Sequence, residues 1–239
     1  MHSGDRPPKL CFLHIPKCGG TSLDRALREH YRPEEIARVD PVRSLAEAQA
    51  AGLPVTVYRR RILPEYLARP GVRYVSGHFP FSEEACRRFS GEWKFITLLR
   101  EPVSRWFSEY FYNRYKQGDH YKLDVDLETY AATQPRSAAY TRMLADVRRR
   151  HFWRRPVTFA NATLDRLDLV GCLERLPQFH RDLERLIGAP LEIGHERSSP
   201  ASLEDRNSAI TPEIRRRVER LCAQDRKVYE HALRLVGSR

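Results

Sequence analysis

The stretch Leu10-Cys11-Phe12-Leu13-His14-Ile15-Pro16-Lys17-Cys18-Gly19-Gly20-Thr21-Ser22 carries three signals in succession. Leu10 to Ile15 is a short apolar run bounded by Pro8 and Pro16, as a buried strand would be. From Ser22 to Tyr31, Leu23, Ala26, Leu27 and Tyr31 recur at helical spacing. Lys17-Cys18-Gly19-Gly20 is then a glycine loop between a strand and a helix. Two glycines let the backbone approach an anion closely, the first N–H groups and the dipole of the helix point at it, and Lys17 adds a full positive charge. A phosphate is the expected guest; a purely structural turn is the alternative reading of a lone glycine pair.

A second unit of the same kind follows. Trp93 to Leu99 alternates too little for a half-exposed strand and reads as a buried one, and Arg100-Glu101-Pro102 opens a helix from about Val103 to Lys116. Two buried strands, each delivering a helix, predict an α/β fold with a central parallel sheet flanked by helices. Arg73 to Ser76 is a further short strand, ending at Gly77-His78, with Ser82 capping the next helix through Ala85 and Phe89. Asp168 to Cys172 reads as another strand, Leu176 to Ile187 as its helix, and Thr211-Pro212-Glu213 as a helix start running to about Val236. Leu123 to Arg155 is mostly helical in pattern, and Gly188 to Ala209 is the linker-like stretch.

A chain of 239 residues fits one domain, with Met1 to Lys9 expected to be flexible. Its 41% hydrophobic residues supply a core and its 31% charged residues a solvated surface. Lys and Arg number 42 against 31 Asp and Glu, a formal charge of +11. That balance favours polyanionic partners: nucleotides, sulfated or carboxylated glycans, nucleic acid or anionic membrane. The five cysteines are scattered, without a Cys-x-x-Cys pair, which argues against a disulfide framework or a zinc site and for a reducing compartment. No run reaches the roughly 18 apolar residues of a membrane span and no signal peptide is evident, so a cytoplasmic protein is expected. Asn161-Ala162-Thr163 matches the glycosylation sequon but reads better as a polar helix start. The basic run Arg148 to Arg155, with Phe152 and Trp153 inside it, is either a solvated helix end or a contact to an acidic substrate.

The loop departs from two common nucleotide motifs. A Walker A loop sets its Lys after the glycines, immediately before the Ser or Thr that holds magnesium, whereas Lys17 precedes Gly19 and Gly20. The dinucleotide-binding G-x-G-x-x-G is absent. A small-molecule kinase using ATP and magnesium is the main rival reading, and it lacks a strand ending in a clean Asp. A basic nucleic-acid-binding module is the second, and no zinc-finger or RNA-binding signature accompanies the dispersed basic residues.

His14-Ile15-Pro16-Lys17-Cys18-Gly19-Gly20-Thr21-Ser22 resembles the 5'-phosphosulfate loop of the sulfotransferase family that includes heparan sulfate 2-O-sulfotransferases and many bacterial members, with Cys18 where Thr is usual. Leu98-Leu99-Arg100-Glu101-Pro102-Val103-Ser104-Arg105-Trp106-Phe107-Ser108-Glu109-Tyr110 is similar to that family's motif for the 3'-phosphate. Val75-Ser76-Gly77-His78-Phe79-Pro80-Phe81 is similar to its Gly-His segment, and Leu169 to Arg175 to a later strand and turn. The order and spacing of the segments, rather than any one of them, carry the resemblance.

It implies a nucleoside-triphosphate-hydrolase-like sulfotransferase fold with a P-loop-like strand, loop and helix. The sulfuryl donor would be 3'-phosphoadenosine 5'-phosphosulfate (PAPS), adenosine 3',5'-bisphosphate its product, and a hydroxyl group, most naturally on a glycan, the acceptor. Pro16, Lys17, Cys18, Gly19, Gly20, Thr21 and Ser22 would hold the 5'-phosphosulfate, and Arg100 and Ser108 the 3'-phosphate; no metal is needed. His78 would be the general base and Lys17 the electrostatic catalyst on the oxygen bridging phosphorus and sulfur. For Arg100 the alternative is a surface ion pair with Glu101 or Glu109. Arg105 is expected in a structural ion pair, and His14 as a packed core residue rather than a second base. Some relatives carry a second His where Ser76 stands, so that two-His arrangement is not expected here. Cys18, near a helix start, is a candidate for an acidified thiol without a covalent role.

Overall fold

A computed structural model of the chain describes residues 6–118, 122–146, 155–194, 206 and 208–237. Five strands form one sheet in the order β2-β3-β1-β4-β5, every neighbouring pair parallel. They are β1 (Lys9–Leu13), β2 (Ile36–Arg38), β3 (Tyr74–Gly77), β4 (Trp93–Leu99) and β5 (Leu169–Cys172). The predicted α/β class with a parallel sheet is therefore observed. Along β1, Leu10 and Phe12 enter one hydrophobic core while Cys11 and Leu13 enter another, the two-residue period of a strand covered on both faces.

The chain runs from β1 outward to β2, then back past β1 to β4 and on to β5. Right-handed crossovers place connections that run in opposite directions on opposite faces. Helix α1 (Gly20–Arg28) accordingly shares one face with α9 (Leu176–Ile187), where Leu23 and Leu27 meet Phe179 and Leu183. The other face carries α3 (Val55–Leu67), α4 (Glu83–Phe89), α7 (Ala139–Leu144), α8 (Pro156–Leu164) and the last described helix, α11 (Ala223–Gly237). Further helices among the described residues are α2 (Pro41–Ala50), α5 (Pro102–Tyr115), α6 (Leu127–Thr133) and α10 (Pro212–Leu221). A third cluster, centred on Trp106, Phe107 and Phe111 of α5, binds α6 and α10 to it.

Capping chemistry sets several of these boundaries. Ser82 accepts from the Ala85 amide at the start of α4, as expected, and Glu101 accepts from the amides of Val103 and Ser104 at the start of α5. Helix α9 ends on Gly188, whose φ of 72° supplies the left-handed turn that closes a helix.

Four expectations need correction. Lys9 is already in β1, while Pro7 and Pro8 accept hydrogen bonds from Arg73 and Tyr31, so the flexible N-terminal stretch does not reach them. Among the described residues of Leu123 to Arg155, the helical pattern resolves into the short helices α6 and α7 with residues 134–138 between them. There Pro135 interrupts the chain, and buried Asp225 accepts from the Ser137 hydroxyl and from the amides of Ala139 and Tyr140. The helix expected from Thr211 to Val236 is two, broken at Cys222, because the carbonyl of Leu221 accepts from the Ser137 amide. Asn161-Ala162-Thr163 lies within α8, which Pro156 opens five residues earlier. Residues 148–154 of the basic run and 195–205 of the linker-like stretch lie outside the described residues. No described helix is long and apolar enough to cross a membrane.

Candidate functional site

The neighbouring strands β1 and β4 send their chains in opposite directions, β1 toward β2 and β4 toward β5. Such a reversal opens a crevice at the carboxyl ends of the strands, where ligands of open α/β sheets bind. The glycine loop leaves β1 on one side of this crevice and Arg100 leaves β4 on the other. A hydrogen bond of 3.5 Å from the Arg100 guanidinium to the Lys17 carbonyl joins them.

The loop is built for close approach. Lys17 holds a φ of 67°, a left-handed conformation that a residue with a side chain adopts at a cost of about 1–2 kcal/mol. Gly19, at φ 78°, is the N-cap of α1, and a Cβ there would lie 2.8 Å from Leu173. A Cβ on Gly20 would lie 2.3 Å from the His14 ring. The N-cap Gly19 has no side chain to cap α1, and the first turn holds no acidic residue, so its positive end suits an anion. Pro16 and Ser22 are half-buried and Thr21 is exposed.

The side chains around the loop come from α5 and α7. Lys17 sets its ammonium 3.5 Å above the ring of Tyr112. Ser108 is buried one turn before Tyr112, on the same face of α5. Arg100 is half-buried and makes no ion pair among the described residues. The two partners proposed for it are engaged elsewhere: Glu101 caps α5, and Glu109 pairs with Arg105 at 3.0 Å. Arg105 is thus the buried structural pair expected of it. Arg206 lies near Arg100, whose positive charge helps to lower its pKa after desolvation.

Cys18 differs from the expectation of an acidified thiol. Burial dominates over the helix start, and its pKa is pushed up to about 12. The thiol contacts the Pro16 carbonyl at 3.7 Å and the Tyr140 hydroxyl at 3.9 Å. Tyr140, fully buried on α7, also bonds both the amide and the carbonyl of Arg100, so one hydroxyl ties the loop to the end of β4. Neither Tyr140 nor Tyr112 was legible as a site residue, because nothing in the local pattern brings α5 and α7 to the loop.

On the other side of the loop, β1 and β3 pair so that Leu13 aligns with Gly77, which sets His78 beside His14. The ring centroids are 4.6 Å apart, and His14 also stacks on Phe12. A pair of histidines is thus present, formed with His14 rather than at the position of Ser76. The Nδ1 of His78 lies 2.7 Å from the His14 carbonyl oxygen. A carbonyl only accepts, so Nδ1 carries the hydrogen, and the neutral ring keeps its lone pair on Nε2. Desolvation lowers the pKa of both rings, His14 to about 3, and the nearby charge of Arg38 pushes each the same way. Both imidazoles are neutral near pH 7. The chain matches no protein-family model and no curated protein.

Proposed function

We propose that the chain is a sulfotransferase of the heparan sulfate 2-O-sulfotransferase-like group, moving a sulfuryl group from PAPS to a hydroxyl acceptor, most naturally a glycan. The observation that carries the reading is the pairing across the crevice. The start of α1, behind two glycines, lies beside a half-buried Arg100 whose guanidinium bonds the Lys17 carbonyl and makes no ion pair among the described residues. A 5'-phosphosulfate would take the loop and a 3'-phosphate the guanidinium of Arg100. Gly19 and Gly20 let Leu173 and His14 pack against the loop, where a Cβ would collide with them.

Bound PAPS supplies an activated sulfuryl group whose departure builds negative charge on a phosphate oxygen. Lys17 is the residue to neutralise that charge, and its seat on Tyr112 keeps the ammonium on the α5 side of the loop. Arg100 offers a bidentate guanidinium to the 3'-phosphate, with Ser108 as a hydroxyl donor. His78 takes the proton of the acceptor hydroxyl on Nε2, which the bond from Nδ1 to His14 holds in the unprotonated tautomer. The kinase reading is weaker because the carboxylates close in sequence to the site are committed: Glu101 caps α5 and Asp24 pairs with Arg28 and Arg38.

The test is incubation with PAPS labelled in its sulfuryl group and a panel of oligosaccharides, phenols and hydroxylated lipids. Label on a glycan hydroxyl is expected. Binding of PAPS without transfer to any acceptor class would leave the enzymatic reading without support.

A further inference from the structure

A second basic feature lies where the connection from α6 to α7 meets the junction of α10 and α11. An open cleft of about 560 Å³ is lined there by Arg136, Arg217, Arg220, Gln224 and Lys227, with two aliphatic residues and, among the described residues, no carboxylate. All four cationic side chains are exposed. Among the described residues Arg136, Arg220 and Lys227 have no acidic partner. Elsewhere on the surface, exposed arginines such as Arg43, Arg88 and Arg166 are matched with Glu47, Glu84 and Glu83. The cleft is therefore an uncompensated concentration of positive charge, where field and shape act together on an anion.

Its geometry selects among anions. Arg217, Arg220, Gln224 and Lys227 follow one another at three- and four-residue steps, along one side of the α10–α11 pair. The row continues from Arg217 and Arg220 on α10 to Gln224 and Lys227 on α11. Arg217 is held in place by bonds of 2.8 and 2.7 Å to the carbonyls of Ala131 and Ala132 at the end of α6. Arg136 enters from the α6–α7 connection. A single small oxyanion engages only part of such a row, whereas a chain with repeated oxyanions engages all of it. Among the described residues no aromatic side chain lines the cleft, and stacking on aromatic rings is what single-stranded nucleic acid uses.

We propose that this cleft binds a linear polyanion through successive sulfate or phosphate groups, as a site separate from the glycine loop. The site stands independently of the reaction assigned to that loop.

The test is titration of the full chain with a dextran sulfate oligosaccharide, with linear tripolyphosphate and with oligothymidylate. The wild type is compared with Arg220→Glu/Lys227→Glu and with Arg87→Glu/Arg181→Glu, an equal charge change at exposed positions outside the cleft. Binding of the sulfated sugar or of tripolyphosphate that weakens at least tenfold in the cleft variant, and less than threefold in the control, is the expected result; which of the two binds more tightly identifies the source of the oxyanions. Melting temperatures within about 2 °C of wild type establish that both variants are folded. Equal weakening in the two variants reduces the effect to net charge and overturns the site. Tightest binding of oligothymidylate, or no binding of either oxyanion chain, overturns it as well.

Discussion

The Nδ1–H of His78 donates to the carbonyl oxygen of His14 across 2.7 Å, and this bond decides which nitrogen of the ring can act as a base. Replacing His78 by Ala should lower turnover about 10²–10⁴-fold, the range usual for a lost general base, with donor affinity nearly unchanged. Burial, Arg59 and Arg38 lower the His78 pKa, against its bond to His14 and the charge of Asp24, so the acid limb of the wild-type rate should lie below the ordinary imidazole value of about 6.5. The residual activity of the variant should lack that limb. Near-normal turnover of folded His78→Ala protein would falsify the assignment.

Gly20 and His14 test the packing of the loop. A methyl group at residue 20 meets the His14 ring at 2.3 Å, so Gly20→Ala must displace the histidine or the start of α1. The expected cost is about 1–3 kcal/mol of stability, together with weaker nucleotide binding. Thermal melting and calorimetry measure the two effects. A variant with wild-type melting and affinity would mean that the loop relaxes freely and that its tight fit has no role.

Tyr140→Phe removes the hydroxyl that bonds both backbone groups of Arg100 and touches Cys18. Leaving buried polar groups without a partner costs about 1–3 kcal/mol. At about 2–4 °C per kcal/mol for a chain of this size, melting should fall by several degrees. The nucleotide should also bind less tightly, since the Arg100 backbone loses its anchor. An unchanged melting curve would show that the bridge contributes nothing.

His14 gives the fold a pH dependence whose sign is fixed by its lowered pKa. Above about pH 6.5 the ring is neutral in both the folded and the unfolded chain. As the pH falls from there toward about 3, the unfolded chain takes up a proton that the folded chain refuses, and stability is lost. His14→Gln should therefore lose less melting temperature than wild type between pH 7 and pH 4. Parallel melting profiles for the two proteins would contradict this source of acid sensitivity.

The units that position the loop were legible because local signals and tertiary demand agree there. Trp93–Leu99 and Leu176–Ile187 have the bounds read from their apolar patterns, and Ser82 caps α4. Residues 32–72 gave no such reading. Strand β2 has only three residues, at the edge of the sheet, and buried Arg60 of α3 donates to the carbonyls of Phe81, Arg142 and Ala145, which no periodicity reveals. Within the site, Lys17, Arg100 and His78 were readable as residue types in ordered segments. Their supports were not. His14 beside His78, Tyr112 under Lys17 and Tyr140 behind Arg100 all depend on contacts across the sheet edge. The thiol of Cys18 was misjudged because burial, invisible along the chain, outweighs the helix start.

Calorimetry in the presence of chelator, comparing adenosine 3',5'-bisphosphate with ATP, tests the central claim most directly, with Arg100→Ala and adenosine 5'-phosphosulfate as controls. The bisphosphate should bind without a divalent cation and more tightly than ATP. Arg100→Ala should weaken it by about 1.5–3 kcal/mol, the worth of a hydrogen bond to a charged group, while affinity for adenosine 5'-phosphosulfate, which lacks the 3'-phosphate, stays close to that of the wild type. A preference for ATP that appears only with magnesium, or an equal loss of affinity for the bisphosphate and for adenosine 5'-phosphosulfate in Arg100→Ala, would contradict the account.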